Sequence, residues 1–491
     1  MLERLGICLH TQLMSESIKD YYDRFPAVSV KALKSDPPPK GIQVVADPVT
    51  GLVLADEDYE AEGIPVLERA ALAALHLTCP VSDPDDPFAD PEAAAMELRS
   101  AFGDRLITQV SWGDPTTDEA LARFVSQGLA AHRVERRNDN LVVDLEYLLD
   151  YEVRSGFARY GAKLVMDLGF RPLRIEREGH VYTPGHPQWE LAKLRFRAAV
   201  ALDVTIRDHA VQCHLMISNA GVIATRDTLS PDHPLRRLLL PFQFRTPTIN
   251  RDGLLTLVGR QAIFHRLFAL EWPALKRLYE HSVRSYRFAP FDEDLRQRGM
   301  EGVKGYLYRE DGLLFFNRLQ RFVQDYFAQT RGRWTSADRA ELSDFSQRLQ
   351  SLLPADLPDC TSEPRLQEMA AYLIFNSTGY HEQVGGGIAD YLSDLRLGPP
   401  VVWDAPTFAD SLPRRNTMYQ AFMLGVLTNL RMPHIGDDIG WLFRDEAARA
   451  AVERFTASMQ ELDADIAARN SARQQPYWIF APRCMELSVS L

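Results

Sequence analysis

Cysteine is scarce in this sequence and is not arranged in pairs. The five cysteines among the 491 residues are Cys8, Cys79, Cys213, Cys360 and Cys484. None of them forms a C-x-x-C motif, the spacing typical of many zinc and dithiol sites. Because the cysteines are scattered and odd in number, we expect a reducing compartment and no disulfide framework.

Long apolar runs and an excess of positive charge are also missing. No run reaches the roughly 18 apolar residues of a membrane-spanning helix. The first residues lack the basic and apolar segments of a signal peptide, so we expect a cytoplasmic protein. Lys and Arg number 55 against 67 Asp and Glu, a net charge of −12. Nucleic-acid binding depends on neutralising phosphates, so we expect no nucleic-acid partner.

The short motifs of several common enzyme classes are absent as well. The sequence has no G-x-S-x-G, H-E-x-x-H, G-x-G-x-x-G or P-loop motif. We therefore expect no nucleophile elbow, zincin site or nucleotide-binding loop. The first 116 residues are the least regular part, with predicted helices at Ile64–Leu77 and Pro91–Phe102.

The longest regular stretch is Trp189–Thr225, which has no proline and a single glycine. Its apolar residues recur three to five positions apart at Leu191, Leu194, Ala198, Leu202, Ile206, Val211 and Leu215. This pattern predicts a buried central helix roughly 45 Å long, around which other helices pack.

Two histidines lie inside this predicted helix, His209 and His214. Residues five apart point about 140° away from each other on a regular α-helix. The two imidazoles could bind one metal only if a π-type turn brought them to the same face. The alternative is a pair of core histidines satisfied by hydrogen bonds.

Motifs in and after this stretch resemble those of the lipoxygenases. The matching residues are Trp189, Ala192 and Lys193, then Gly221–Thr225, Leu229-Ser230, His233-Pro234 and Ile249-Asn250. Further similar runs are Asp118–Leu129, Asn140–Leu149, Tyr308–Leu314, Asp410–Pro413 and Ile466–Pro476. The resemblance implies a mainly α, lipoxygenase-like catalytic domain built round a long central helix, with small β elements in the first third. We expect residues 1–491 to form this single domain, with an irregular lead over 1–116 and no N-terminal β-sandwich.

The resemblance also implies one mononuclear non-haem iron, and manganese suits the same ligands. The family holds its iron with three histidines, an asparagine and the carboxylate of the last residue. His381 and Leu491 match two of these ligands. Counted without gaps from Trp189, His209 takes the place of a further histidine ligand. Val204 and Gly385 stand where the remaining histidine and the asparagine are expected.

Three interpretations of the metal site follow. In the first, His209, His381 and the Leu491 carboxylate form a triad of two histidines and one carboxylate, as in non-haem iron oxygenases. In the second, a shifted helix register makes His209 and His214 the ligand pair. In the third, no metal binds. Nearby carboxylates at Asp203, Asp208 and Glu382 more often support ligands than replace them.

By resemblance, we expect a dioxygenase that inserts O₂ into a polyunsaturated fatty acid or related lipid. An iron(III) hydroxide removes hydrogen from the CH₂ between two cis double bonds in this family. The alternatives are a lipoxygenase-fold iron oxygenase acting on a non-fatty-acid small molecule in a biosynthetic pathway, and a non-catalytic lipid-binding protein. Candidate residues of the substrate and oxygen pocket are Gly253, Leu257, Val204 and Gly385.

Overall fold

The structure of the protein is a computed structural model. It describes residues 113–489, apart from residues 245, 247–248, 251–256, 260–261, 387, 393, 395, 415–416, 418–420, 422–433 and 444. Before residue 113 it describes residues 44–46, 53–55, 93 and 96.

Two antiparallel sheets lie early in the chain. In the smaller sheet, β1 (Val44–Ala46) pairs with β2 (Val53–Ala55). The larger sheet has five strands, each paired with the next along the chain. These strands are β3 (Glu135–Arg137), β4 (Asn140–Asp144), β5 (Lys163–Met166), β6 (Pro172–Arg177) and β7 (His180–Tyr182).

Local chemistry explains the last hairpin of this sheet. Glu178 and Gly179 connect β6 to β7, with φ angles of 50° and 76°. Two positive φ values in a two-residue loop follow the right-handed twist of the flanking strands. Glycine adopts this conformation without steric cost, whereas Glu178 is held in it by the hairpin.

The central helix of the fold runs from Trp189 to Thr228 in three consecutive parts. These are α2 (Trp189–Asp203), a central π-helix (Val204–Ser218) and α3 (Asn219–Thr228). Almost every side chain of α2 and the π-helix is buried. Burial on all sides is the property of a helix at the centre of a large core.

The other described α-helices surround this axis. They are α1 (Asp118–Ser126), α4 (Pro234–Leu239), α5 (Ile263–Leu267), α6 (Trp272–Arg284), α7 (Phe291–Gln297), α8 (Leu307–Thr330), α9 (Ser336–Leu352), α10 (Glu363–Phe375), α11 (Ile388–Leu392), α12 (Phe408–Ser411) and α13 (Glu446–Ala472). Helix α6 packs on the central π-helix, α9 on α3, and α8 on both α10 and α13.

Caps and aromatic pairs fix these packings. Thr335 and Asp338 form a capping box at the start of α9, which satisfies backbone N–H groups that the helix leaves unpaired. Phe322 of α8 stacks on Phe455 of α13 with ring centroids 4.2 Å apart. Such an aromatic pair contributes roughly 1 kcal/mol beyond the area it buries.

The architecture confirms the predicted class: mainly α, built round a long central helix, with small sheets early in the chain. The run Asp118–Leu129, which resembles a family segment, contains helix α1 over Asp118–Ser126. The predicted helix at Ile64–Leu77 lies outside the described residues. So does the one at Pro91–Phe102, except for Ala93 and Met96, which are helical. In the part of the chain that the structure describes, no helix combines the length and apolar character needed to cross a membrane.

Candidate metal centre

The central π-helix places residues five positions apart on one face, because its hydrogen bonds run from i to i+5. It extends from Val204 to Ser218, far longer than a single-turn bulge. One side-chain contact supports this register. Arg133 lies 3.4 Å from the carboxylate of Asp203 and donates from Nε to Asp208 at 2.9 Å, so one guanidinium contacts two carboxylates five apart.

Three histidines converge beside this helix. The Nε2 atoms of His209 and His214 lie 3.1 Å apart, and they lie 3.2 Å and 2.9 Å from Nε2 of His381. Two ligand nitrogens at right angles about an ion, each roughly 2.1 Å from it, are separated by about 3 Å. All three distances therefore match three adjacent ligands of one octahedral metal ion.

All three imidazoles are buried, which disfavours their charged forms. Burial lowers the pKa of His209 well below its usual value, and repulsion from His214 when both rings are protonated adds to the shift. Burial also lowers the pKa of His214 to about 4, although its hydrogen bond with Asn250 opposes the shift. Neutral imidazole is the form that binds a metal. At neutral pH both side chains are therefore in their metal-binding form.

Asn250 determines which nitrogen of His214 faces the cluster. Its Nδ2 donates to the His214 carbonyl at 2.9 Å and to Oδ1 of Asn219 at 2.7 Å. Its Oδ1 is therefore an acceptor and lies 2.9 Å from His214 Nδ1. Nδ1 must then carry the proton, which leaves the Nε2 lone pair directed at the other two histidines.

His381 lies between two short π-helices, Asn376–Tyr380 and Glu382–Gly386. The carboxyl of Glu486 approaches it from the side opposite the cluster, with Oε2 3.6 Å from His381 Nδ1. Burial and the nearby Glu382 raise the pKa of Glu486 well above its usual value. Glu486 is therefore a close neighbour of His381 at a distance longer than a hydrogen bond, whereas Asn250 is within hydrogen-bonding distance of His214.

Gly385 is in van der Waals contact with His209. A Cβ atom at residue 385 would lie 2.5 Å from Nε2 of His209 and 2.9 Å from its Cε1. Real Cβ atoms essentially never come that close to another heavy atom. The absence of a side chain at 385 is therefore what allows the His209 imidazole to reach the cluster.

The nearby carboxylates have other partners. Asp203 accepts a hydrogen bond from the Tyr147 hydroxyl and pairs with Arg207, while Asp208 pairs with His132 and Arg133. Glu382 lies against Gly386, and burial with the nearby Asp390 raises its pKa to about 8. None of the three belongs to the histidine cluster found among the described residues.

The remaining predicted site residues have different positions. Leu491 and Gly253 lie outside the described residues. Leu257 is half-buried and packs against the hydrophobic core, and Val204 is fully buried at the first position of the π-helix. The structure thus brings together His209, His214 and His381, which is the arrangement that the shifted register requires. The ligand set itself stays a prediction.

Two contributors to this site had no clear signal in the sequence. Asn250 was recognised only as part of a family motif, and Glu486 was not singled out. Both lie beside histidines that are far away in the chain, Asn250 beside His214 and Glu486 beside His381. Spacing along one helix cannot indicate such partners.

Comparison with known proteins gives one consistent result. A lipoxygenase family model matches residues 173–372. The arachidonate 12-lipoxygenase, 12R-type, of Mus musculus is 23% identical over 436 residues, which cover 79% of this chain and 60% of that protein. This chain therefore spans well under two thirds of the length of that relative.

Solved structures show the same fold. Coral 8R-lipoxygenase superposes with a TM-score of 0.74 at 16% identity, over 96% of this chain and 81% of that one. The manganese lipoxygenase of Gaeumannomyces graminis has a TM-score of 0.63 at 18% identity, over 76% of this chain and 74% of that one. The long buried helix and its surroundings are thus a lipoxygenase fold. The family model, the relatives and the shared fold together support membership of the lipoxygenase family.

Proposed function

We propose that this protein is a non-haem metal dioxygenase of lipoxygenase type, acting on a polyunsaturated fatty acid or related lipid. The observation that carries the proposal is the convergence of three buried imidazole nitrogens within 3.2 Å of one another. One cation held between the three nitrogens would satisfy all of them together, because imidazole nitrogens are common ligands of transition metals. The names of the relatives, lipoxygenases among them, support the choice of reaction and substrate class.

Iron is the proposed metal, with manganese as the second candidate. His209, His214 and His381 would hold it, and the Leu491 carboxylate is proposed as a further ligand. Imidazole ligands suit several divalent transition metals, so the ligand types alone do not choose between the two. The bound metal supplies the one-electron oxidation that removes hydrogen from a carbon between two double bonds.

The protein's own residues prepare this site in three ways. Asn250 fixes the His214 tautomer, Gly385 leaves room for the His209 ring, and burial keeps His209 and His214 neutral. The buried surroundings of the site also exclude water from the substrate radical, with which O₂ must react.

The test has two parts on the purified full-length chain. Elemental analysis should give about one iron or manganese per chain, as a single three-histidine site requires. Oxygen electrode measurements with linoleate and arachidonate should then show O₂ uptake, with hydroperoxide detected by conjugated-diene absorbance. A chain that binds no transition metal after reconstitution with Fe(II) and with Mn(II) would contradict the proposal.

A second candidate is a lipoxygenase-fold oxygenase for a different small molecule. It is favoured by position 385, where glycine stands in place of the asparagine ligand that the family resemblance implies. A changed ligand set changes the redox potential of the metal and hence the bonds it can oxidise. Stoichiometric metal without O₂ uptake on any polyunsaturated acid would favour this candidate.

A further inference from the structure

A polar cavity lies on the side of the central π-helix that faces away from the histidines. Its volume is about 280 Å³, and Arg207, Gln212 and Ile217, five residues apart, form part of its wall. His209 and His214 are displaced by two residues, which on a π-helix is a rotation of roughly 160°. The cavity and the histidine cluster are therefore on opposite faces of one helix.

Two phenol groups line this cavity without a protein partner. Among the described residues, neither the Tyr308 nor the Tyr380 hydroxyl makes a hydrogen bond, whereas Tyr286 and Tyr372, also in the wall, bond to each other at 2.8 Å. Tyr308 is only 2% exposed. A hydroxyl this deeply buried requires a hydrogen-bonding partner, which a ligand or water in the cavity would supply.

The arginine members of two buried ion pairs belong to the cavity wall, and their partners do not. Arg133 and Arg207 line the cavity, whereas their counter-ions Asp203 and Asp208 are not in the described wall. Such oriented ion pairs are neutral in sum but present a positive potential on the arginine side.

Two further charged residues complete the wall. Arg287 is exposed at its edge and donates to the backbone carbonyls of Arg284 and Tyr286, so these bonds leave its charge uncompensated. The one carboxylate in the described wall, Asp294, is held by two bonds from Arg298, at 2.6 Å and 2.9 Å. The balance of the wall is therefore positive.

We propose that this cavity binds a carboxylate, with Tyr308 and Tyr380 donating to its oxygens and Arg287 adding a charge-assisted contact. A metal cation is disfavoured there because arginines outnumber carboxylates in the described wall. A purely apolar ligand would leave the phenol hydroxyls unpaired. The inference does not depend on the proposed dioxygenase reaction, because it concerns binding on the opposite face of the helix.

Calorimetric titration of the full-length chain with octanoate, and with octanamide as its uncharged counterpart, tests this site. We expect octanoate to bind at least about tenfold more tightly, as the loss of charge-assisted hydrogen bonds predicts.

Tyr308→Phe keeps the ring and Arg287→Gln changes an exposed side chain, so both should fold. Each should weaken octanoate binding by about tenfold, and Arg287→Gln, which removes only the charge, should leave octanamide binding unchanged. The matched control is Tyr279→Phe, because the Tyr279 hydroxyl donates to the Val258 carbonyl. This variant should bind octanoate and octanamide as the parent does.

Competition identifies the source of the carboxylate. If linoleate displaces octanoate and methyl linoleate does not, the cavity receives the head of a long-chain acid. If octanoate and linoleate bind together, the cavity serves a separate small acid. Equal affinities for octanoate and octanamide would overturn the proposal, as would unchanged octanoate binding in both variants.

Discussion

Two clusters among the described residues have the composition of a metal site, and they differ in how their histidines are satisfied. In one, His209, His214 and His381 direct nitrogens at one another. In the other, His233 lies near Asp338 and Glu341. His233 Nδ1 accepts from the Leu235 N–H, and its Nε2 lies 3.0 Å from the Asp338 carbonyl. Both ring nitrogens of His233 are thus already engaged by the backbone.

The comparison teaches that proximity of ligand types is a weak criterion for a metal site. A histidine binds metal through a lone pair, so its other nitrogen must carry the proton and must be held by an acceptor. Asn250 provides that arrangement for His214. At His233 the lone pair of Nδ1 already accepts a hydrogen bond, which makes this residue the cap of helix α4.

The largest expected effect comes from removing a cluster histidine. His381→Ala should reduce metal content from about one per chain to below about 0.1, because the site loses a ligand whose free energy of binding is large. Elemental analysis after dialysis against a weak chelator measures this. Retention of stoichiometric metal in this variant would show that His381 is not a ligand.

A methyl group at residue 385 tests the contact that admits His209. In Gly385→Ala the new Cβ would overlap the His209 imidazole, so we expect metal affinity to fall by roughly 10- to 100-fold, as for other displaced ligands. Competition with a metallochromic chelator gives the affinity. The matched control is Gly302→Ala, where a Cβ would have no atom within 4 Å and the affinity should not change. An unchanged affinity in Gly385→Ala would place the His209 ring elsewhere.

Loss of the Asn250 side chain should have a similar or smaller effect. Asn250→Ala frees His214 to change tautomer, and we expect metal affinity to fall by about tenfold. Asn250→Asp keeps an acceptor for the Nδ1 proton but loses the donor to the His214 carbonyl and to Asn219, so it should recover only part of that loss. If both variants bind metal as tightly as the parent, Asn250 does not control the tautomer.

The smallest effect on metal is expected at the second cluster. His233→Ala should leave metal content unchanged and lower the free energy of unfolding by about 1–2 kcal/mol, because it removes the cap that accepts from the Leu235 N–H. Thermal unfolding, monitored by circular dichroism alongside elemental analysis, separates the two outcomes. A loss of metal without a loss of stability would mean that the comparison between the clusters is wrong.

Much of the fold could be predicted from the sequence because it depends on local patterns. The periodic apolar residues of Trp189–Thr225 indicated the central helix, and the motifs around His233-Pro234 and Ile249-Asn250 indicated the family. The spacing of His209 and His214 also showed that the two could bind one metal only if a π-type turn brought them to one face. The structure has such a helix over Val204–Ser218.

The register of that helix could not be predicted in the same way. Counting residues from Trp189 placed Val204 and His209 in the ligand positions, whereas the structure places His209 and His214 beside His381. An i to i+5 hydrogen-bonding pattern differs from the α-helical one by a small free energy per residue. Distant contacts such as that of Arg133 with Asp203 and Asp208 can therefore decide it.

The sequence by itself determined that this is a mainly helical chain of lipoxygenase type with histidines inside its central helix. Those features depend on local periodicity and on short motifs, whose residues are close together in the chain. Only the tertiary structure decided which lone pairs meet. Asn250 reaches His214, Gly385 makes room for His209, and the backbone engages both nitrogens of His233. The physical reason is that the hydrogen-bonding partner of one imidazole nitrogen determines which nitrogen carries the proton. Only folding brings that partner, which is distant in the chain, next to the ring.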